Sequence, residues 1–491
     1  MKLSTSLLLG LAAFVSHADA ADRFDAAREY IRGQMQEANL PAVSVAISQR
    51  GKIVWEEGFG WADLERKIAA TPHTMYSLAS ISKPITATAL MTLVEAGKID
   101  LDAPINDYLG SAKLVARVGT QAATVRQVAN HSSGLPLHYQ FFYADEPERR
   151  VSMDETILRY GNLITAPGEK VEYSNLGYGV LDYVISRVSG KSFGAYLTED
   201  VFLPLGLTRM SLGIGPGLEP YAAVRYDENG KALPFYESDH RGASAVYGSA
   251  HDLIRFAMFH LQDGLPDQKR ILSKNAIAEM QRVTAVEDER EGYGVSWSVV
   301  NRADGYRVVE HGGSMPGVNV VLLLIPAEDV AIAVLTNQRS SRHRLIADQV
   351  LKVVLPKWRP AQAEQQRGPE PATRSAPAVA PAQKFAGTWK GLVHTYRGDV
   401  PLTLEFQPDG DVHAQLQGQR ESLVTRLRVQ NDEVSGEFFG KLDTEDTRHR
   451  GSNVMSLSLK LRGSVLSGGV TARSDDWRSS ALTHWTEVLK Q

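Results

Sequence analysis

The segment from Arg359 to Gln383 limits the possible folds more than any other part of the chain. It holds Pro360, Pro369, Pro371, Pro377 and Pro381 among Ala, Gln, Glu and Arg, and apart from alanines its only aliphatic residue is Val379. So little apolar surface cannot offset the entropy lost on ordering a chain, and the prolines favour extended backbone. Residues 359–383 therefore read as a linker. The 491 residues divide around it. The parts on either side, 21–358 and 384–491, must each bury a core of their own.

At the N-terminus, Lys2 precedes an apolar run from Leu7 to Val15 and then Ala18-Asp19-Ala20, a small-x-small cleavage pattern. This predicts a secretory signal peptide over residues 1–20 and a bacterial protein that is exported, either periplasmic or secreted. The run is too short to span a bilayer, and no later segment reaches about 20 unbroken apolar residues, so no integral membrane segment is expected. The absence of cysteine removes disulfides, Cys-ligated zinc and a thiol nucleophile from consideration. A formal net charge of -4, with no run of Lys and Arg, gives no footprint for nucleic acid.

Before the linker the periodicity is mixed. A helix is predicted around Arg23 to Ala38, then a hairpin of Val43 to Ser48 and Ile53 to Gly58 turned at Arg50-Gly51-Lys52. Helices dominate to about Leu261. Strands return at Tyr293 to Val300, Tyr306 to Glu310, Val318 to Ile325 and Val330 to Thr336, with a closing helix near Leu345 to Leu355. Terminal strands around a helical middle predict an α/β (α+β) fold, an antiparallel sheet flanked by helices beside an all-helical lobe. After the linker the period becomes two: Val400, Leu402, Leu404 and Phe406 alternate with polar neighbours, as do Met455, Leu457, Leu459 and Leu461. Residues 384–491 are expected to form a small all-β domain, a closed and lipocalin-like barrel.

Ser80-Ile81-Ser82-Lys83 is the only Ser-x-x-Lys in the chain and opens an apolar-periodic helix that stops at Gly97. Three-residue spacing puts both side chains on one helical face. A desolvated Lys83 can be neutral near pH 7 and take the proton of the Ser80 hydroxyl. Pro84 fits the first turn, where a missing N–H breaks no helical bond.

Further along, Tyr173-Ser174-Asn175 follows the turn Pro167-Gly168-Glu169, and His311-Gly312-Gly313 ends a predicted strand. In order and separation, the three motifs resemble the active-site elements of the serine β-lactamase and penicillin-binding protein superfamily. They are most similar to its class C-like branch, which includes D,D-carboxypeptidase B, D-aminopeptidase and serine esterases. The resemblance runs from about Phe24 to Leu355, with supporting phrases at Asn130–Pro136 and Leu203–Leu207. It implies a covalent Ser80 acyl-enzyme, with Lys83 as proton acceptor and Tyr173 relaying protons to the leaving group. Asn175 would bind the acyl side chain of the substrate, and His311 would line the subsite for a substrate carboxylate. The backbone N–H groups of Ser80 and Ser314 would form the oxyanion hole, and Gly313 would leave room that a Cβ would take from the substrate. No cofactor and no metal are implied. Because His311 stands where efficient β-lactamases usually carry lysine, weak or no β-lactamase activity is expected.

The substrate is accordingly a small molecule or peptide, with D-residue peptides or amides and carboxylic esters as the classes implied. The alternative is a catalytically inactive module that binds cell-wall fragments or a partner. Oligomeric state is left open. All these groups precede the linker, so the β domain is expected to be dispensable for chemistry. Several look-alike motifs are read as structural. Tyr160-Gly161-Asn162 reads as a helix end, Gly190 as a helix C-cap and Ser192 as an N-cap. His131 and Ser133 read as turn and capping residues, and His240-Arg241-Gly242 and His449-Arg450-Gly451 as surface.

Overall fold

A computed structural model describes residues 23–360, 384–474 and 478–491. The predicted signal peptide and nearly all of the predicted linker lie outside these residues. In chain order, the elements that position the site begin with helix α1 (Asp25–Ala38) and the hairpin β1 (Ala42–Gln49) and β2 (Lys52–Asp63). Helix α2 (Ser82–Glu95), strand β3 (Tyr139–Tyr143), helix α3 (Asn175–Ser189), the single turn α4 (Arg241–Ser244) and helix α5 (Ala250–Leu261) follow. Strands β4 (Arg307–Met315), β5 (Val318–Ile325) and β6 (Val330–Thr336) then lead to helix α6 (Arg342–Val354).

Strands β4, β5, β6, β1 and β2 lie side by side in that order in an antiparallel sheet, with short strands extending both edges. Both faces are covered, which explains why β5 and β6 read as continuous apolar runs. Val43, Val45 and Ile47 of β1 and Ile332 and Val334 of β6 pack with Ile31 of α1 and Ile346 and Val350 of α6. On the opposite face Ala42, Ala46, Ala331 and Ala333 join the main core with Leu253 and Phe256 of α5. Helix α2 has no polar face, because every residue from Ser82 to Met91 is buried. It runs through the helical lobe, not over its surface.

Among the described residues between Gly387 and Lys490, nine strands form an antiparallel, nearly closed barrel. Its first strand, Gly387–Thr395, pairs with the last, Ser480–Lys490, whose other edge pairs with Val465–Ser474. The α/β class with a small β-barrel is thus borne out. The barrel does not stand apart. Ser480 and Ala481 continue the ladder onto Gln140 and Tyr139 of β3, and the Thr483 hydroxyl donates to Leu137 O at 2.6 Å. Glu146 is gripped by Arg450 and Arg478, and Glu169 by Lys460 at 2.7 Å and Arg462 at 3.0 Å. Asp446 accepts the Tyr160 hydroxyl at 2.6 Å.

Candidate active site

Ser80 sits in a single 3-10 turn, Ala79–Ile81, and α2 proper begins at Ser82. Ala79 is held at φ 45°, a left-handed conformation that a residue with a Cβ rarely adopts. Such strain persists only where the surroundings over-determine it. Here Leu78 N–H donates to Val246 O and Ile81 N–H to Leu78 O, fixing the turn on both sides.

Lys83 is fully buried. Burial holds its ammonium well below the usual lysine range. Its Nζ lies 2.7 Å from Asn175 Oδ1, 3.1 Å from Ala243 O and 3.2 Å from Ser80 Oγ. The first two are acceptors. An ammonium could donate to all three oxygens, and a neutral amine, with two N–H donors and one lone pair, also fits two acceptors and one hydroxyl. In its neutral form, which burial favours, Lys83 would donate to Asn175 and Ala243 and accept the Ser80 O–H.

Tyr173 is half-buried over the same amine, with Lys83 Nζ 4.6 Å from its ring centroid. Burial pushes its ionisation above the ordinary tyrosine value, outweighing the opposing influence of the nearby Ser80 hydroxyl. It is a neutral phenol that can give and take a proton in one step. His131, at φ 64°, stacks on it at 4.4 Å. Its Nδ1 accepts Ser174 N–H at 3.1 Å, and its carbonyl accepts Glu172 N–H at 2.7 Å. One turn residue thus fixes the backbone on both sides of Tyr173. Ser174 caps α3, and Asn175 opens it. With Asn175 Oδ1 engaged by Lys83, its Nδ2 is left to donate to a ligand.

The third motif lies on β4. Residues 298–301 pair with 307–310 only, so from His311 to Met315 the outer edge of β4 faces the cleft. His311 Nδ1–H donates to Gly312 O at 2.7 Å. Burial lowers its pKa to about 3. The ring is therefore neutral at pH 7, not partly charged as its ordinary pKa suggests. Gly313 also differs from expectation. A Cβ there would meet Leu78 O at 2.5 Å, Val320 Cγ2 at 2.6 Å and Ala79 Cβ at 3.1 Å. The glycine lets β4 close on the Ser80 turn.

Ser80, Asn175 and Ser314 border a cleft of about 330 Å³ whose walls include Tyr139, Arg339 and Arg473. Ser80 and Ser314 also open to a second recess of about 450 Å³, lined by Tyr173, Tyr293, His311 and Arg344. The structure thus brings together Ser80, Lys83, Tyr173, Asn175, His311, Gly313 and Ser314. It adds Ala243, His131, Arg339 and Arg473, none of which sequence reasoning singled out for this site. Arg473 comes from the barrel, so the β domain forms part of the cleft wall. His240-Arg241-Gly242 is not surface either. His240 is fully buried at the start of α4, where a Cβ on Gly242 would meet Tyr178 O at 2.5 Å. Gly190 and Ser192 are the helix caps expected.

A buried lysine within hydrogen-bond distance of a serine hydroxyl, with a tyrosine packed over the amine, is the equipment of serine acyl transfer. The chain belongs to the Beta-lactamase family, whose model matches residues 27–355. It therefore has the β-lactamase fold. Protein flp of Staphylococcus aureus is 25% identical over 315 residues, covering 63% of this chain and 62% of that relative's length. Among solved structures, SurE with D-Leu matches 96% of this chain and all of its own, with a TM-score of 0.61 and 20% identity. EstCE1, a hydrolase with promiscuous acyltransferase activity, matches 67% of this chain and 97% of its own, with a TM-score of 0.57 and 19% identity.

Proposed function

We propose that this protein is an exported hydrolase that acylates itself at Ser80 and acts on small peptides or amides carrying D-residues, or on carboxylic esters. The observation that carries this reading is the Lys83 amine, fully buried and 3.2 Å from Ser80 Oγ. In the reaction, Ser80 Oγ attacks the substrate carbonyl while its proton passes to Lys83 Nζ. Tyr173 then delivers a proton to the leaving nitrogen or oxygen, and water releases the acyl group by the reverse path. The N–H groups of Ser80 and Ser314 stabilise the tetrahedral oxyanion. Neutral His311 offers a substrate carboxylate no charge, so β-lactam turnover is weak. Arg339 and Arg473 put positive charge on the other wall, where a peptide carboxylate can lie. The neighbour solved with D-Leu supports the first substrate class, and EstCE1 supports acyl transfer to and from other groups. The complete set of Ser80, Lys83 and Tyr173 weighs against a binding module without turnover.

Intact-mass measurement after exposure to a fluorophosphonate and to penicillin, together with hydrolysis of D-aminoacyl amides and nitrophenyl esters, tests this. One adduct per chain, absent in Ser80→Ala, is expected. Labelling that survives in Ser80→Ala, or cephalosporin turnover equal to the best amide or ester, would overturn the assignment.

A further inference from the structure

A second cluster of reactive side chains lies behind the α4 turn, outside the cleft. His138 immediately precedes β3, and Asp239 and His240 immediately precede α4. Their side chains are 3%, 7% and 0% exposed. His138 Nδ1 is 2.9 Å from His240 Nε2. Asp239 Oδ2 is 3.4 Å from the first and 3.3 Å from the second.

Protons alone satisfy this triangle poorly. One N–H between the rings leaves Asp239 Oδ2 facing a lone pair. Two N–H groups aimed at Asp239 place two hydrogens face to face across the 2.9 Å gap. The structure gives Asp239 Oδ2 no hydrogen-bond donor, although the atom is buried, and His138 Nε2 and His240 Nδ1 have no partner that would fix either tautomer. An unpaired buried carboxylate oxygen is expensive. Asp239 Oδ1, by contrast, is engaged by His240 N–H at 2.8 Å, so the carboxylate is already aimed with Oδ2 toward the rings. A divalent ion would accept all three lone pairs at once. Ligands about 2.0–2.1 Å from a tetrahedral metal are about 3.3 Å apart, close to the edges of this triangle.

We propose that His138, Asp239 and His240 form a binding site for a tetrahedral divalent transition-metal ion of the zinc type, with a fourth position left to water. Two imidazoles and one carboxylate suit such an ion better than calcium or magnesium, which take oxygen ligands. The site is structural in character, because the ion would tie β3, which carries the barrel ladder, to α4, whose Ala243 carbonyl holds Lys83. The two other acid-histidine groupings among the described residues are weaker candidates. Glu56, His73 and His251 are partly exposed, and Glu146, Glu148 and His449 already serve the ion pairs that dock the barrel.

Because the ligands are buried, the ion would enter during folding, and the test uses the full chain produced with zinc or cobalt in the medium. We expect about one zinc per chain by elemental analysis after desalting, and a tetrahedral visible absorption spectrum for the cobalt form. Asp239→Asn keeps the shape and the Oδ1 acceptor, while its amide can donate to an imidazole nitrogen, so this variant should fold and lose the metal. A folded wild-type protein with no bound zinc and no cobalt spectrum would overturn the proposal. So would a folded Asp239→Asn that retains the same metal content, since the ion would then sit at another cluster.

Discussion

At the residue scale the chemistry turns on how many hydrogens Lys83 carries. Replacing it with Met should leave Asn175 Oδ1 and Ala243 O without their donor and slow acylation by at least about a hundredfold, the usual worth of a general base. Tyr173→Phe should cost a similar factor, and the double variant little more, because groups acting as a unit are not additive. Single-turnover acylation rates check both, and a loss below tenfold in each would make these residues structural. Because Lys83 must be unprotonated to act, the rate should rise with pH to a plateau reached well below the ordinary lysine pKa of about 10.4. The motif and its helical spacing were legible in the sequence. The two acceptors were not, since Asn175 and Ala243 lie far along the chain and only the fold brings them to the amine.

At the scale of elements, the approach of β4 to the Ser80 turn decides the geometry of the cleft. A methyl group at position 313 would force Leu78 and Ala79 away, because the nearest atom it meets is backbone, at 2.5 Å. Overpacking of this kind typically costs about 1–3 kcal/mol. Gly313→Ala should therefore lower the thermal midpoint and, by moving Ser80, reduce acylation more than it weakens ground-state substrate binding. Thermal melts beside the acylation rate and binding constant separate the two effects. Helix α2 and strands β5 and β6 were readable from their apolar runs, and the caps at Gly190 and Ser192 from local turn chemistry. The burial of His240 was not readable, because Arg241 and Gly242 mimic a polar loop, and the packing against α3 that encloses the ring comes from another part of the chain. The interleaving of the barrel with the lobe was equally hidden, since a proline-rich stretch fixes that two parts exist and not how they meet.

For the whole molecule, buried histidines set the response to acid. Burial lowers His260 and His311 to about 3, and His484 in the barrel to about 4. The unfolded chain takes up these protons near pH 6.5, whereas the folded one resists them, so stability is lost as pH falls from about 6.5 towards 3–4. Each such histidine adds up to about 1.4 kcal/mol per pH unit within that window. Glu169 works in the same direction lower down. Burial alone would raise it, but Lys460 and Arg462 bring it down to about 2, so the stability it lends is lost between about 4.5 and 2. Denaturant midpoints should fall steeply below pH 6, and a flat profile down to pH 4 would contradict this origin.

The ladder between β3 and the strand Ser480–Lys490 also sets an order of events in time. Thr483 meets Leu137 across 346 positions of sequence, and contacts so remote are among the slowest a chain makes. The ribosome makes this strand long after Ser80, and it must find both the first barrel strand and β3. The nucleophile can thus be built early while the wall carrying Arg473 is still missing. In refolding, burial of Trp485 should coincide with the return of turnover on anionic substrates, whereas fluorophosphonate labelling of Ser80 should recover sooner. Simultaneous recovery of all three signals would mean that the lobe and the barrel assemble in a single step.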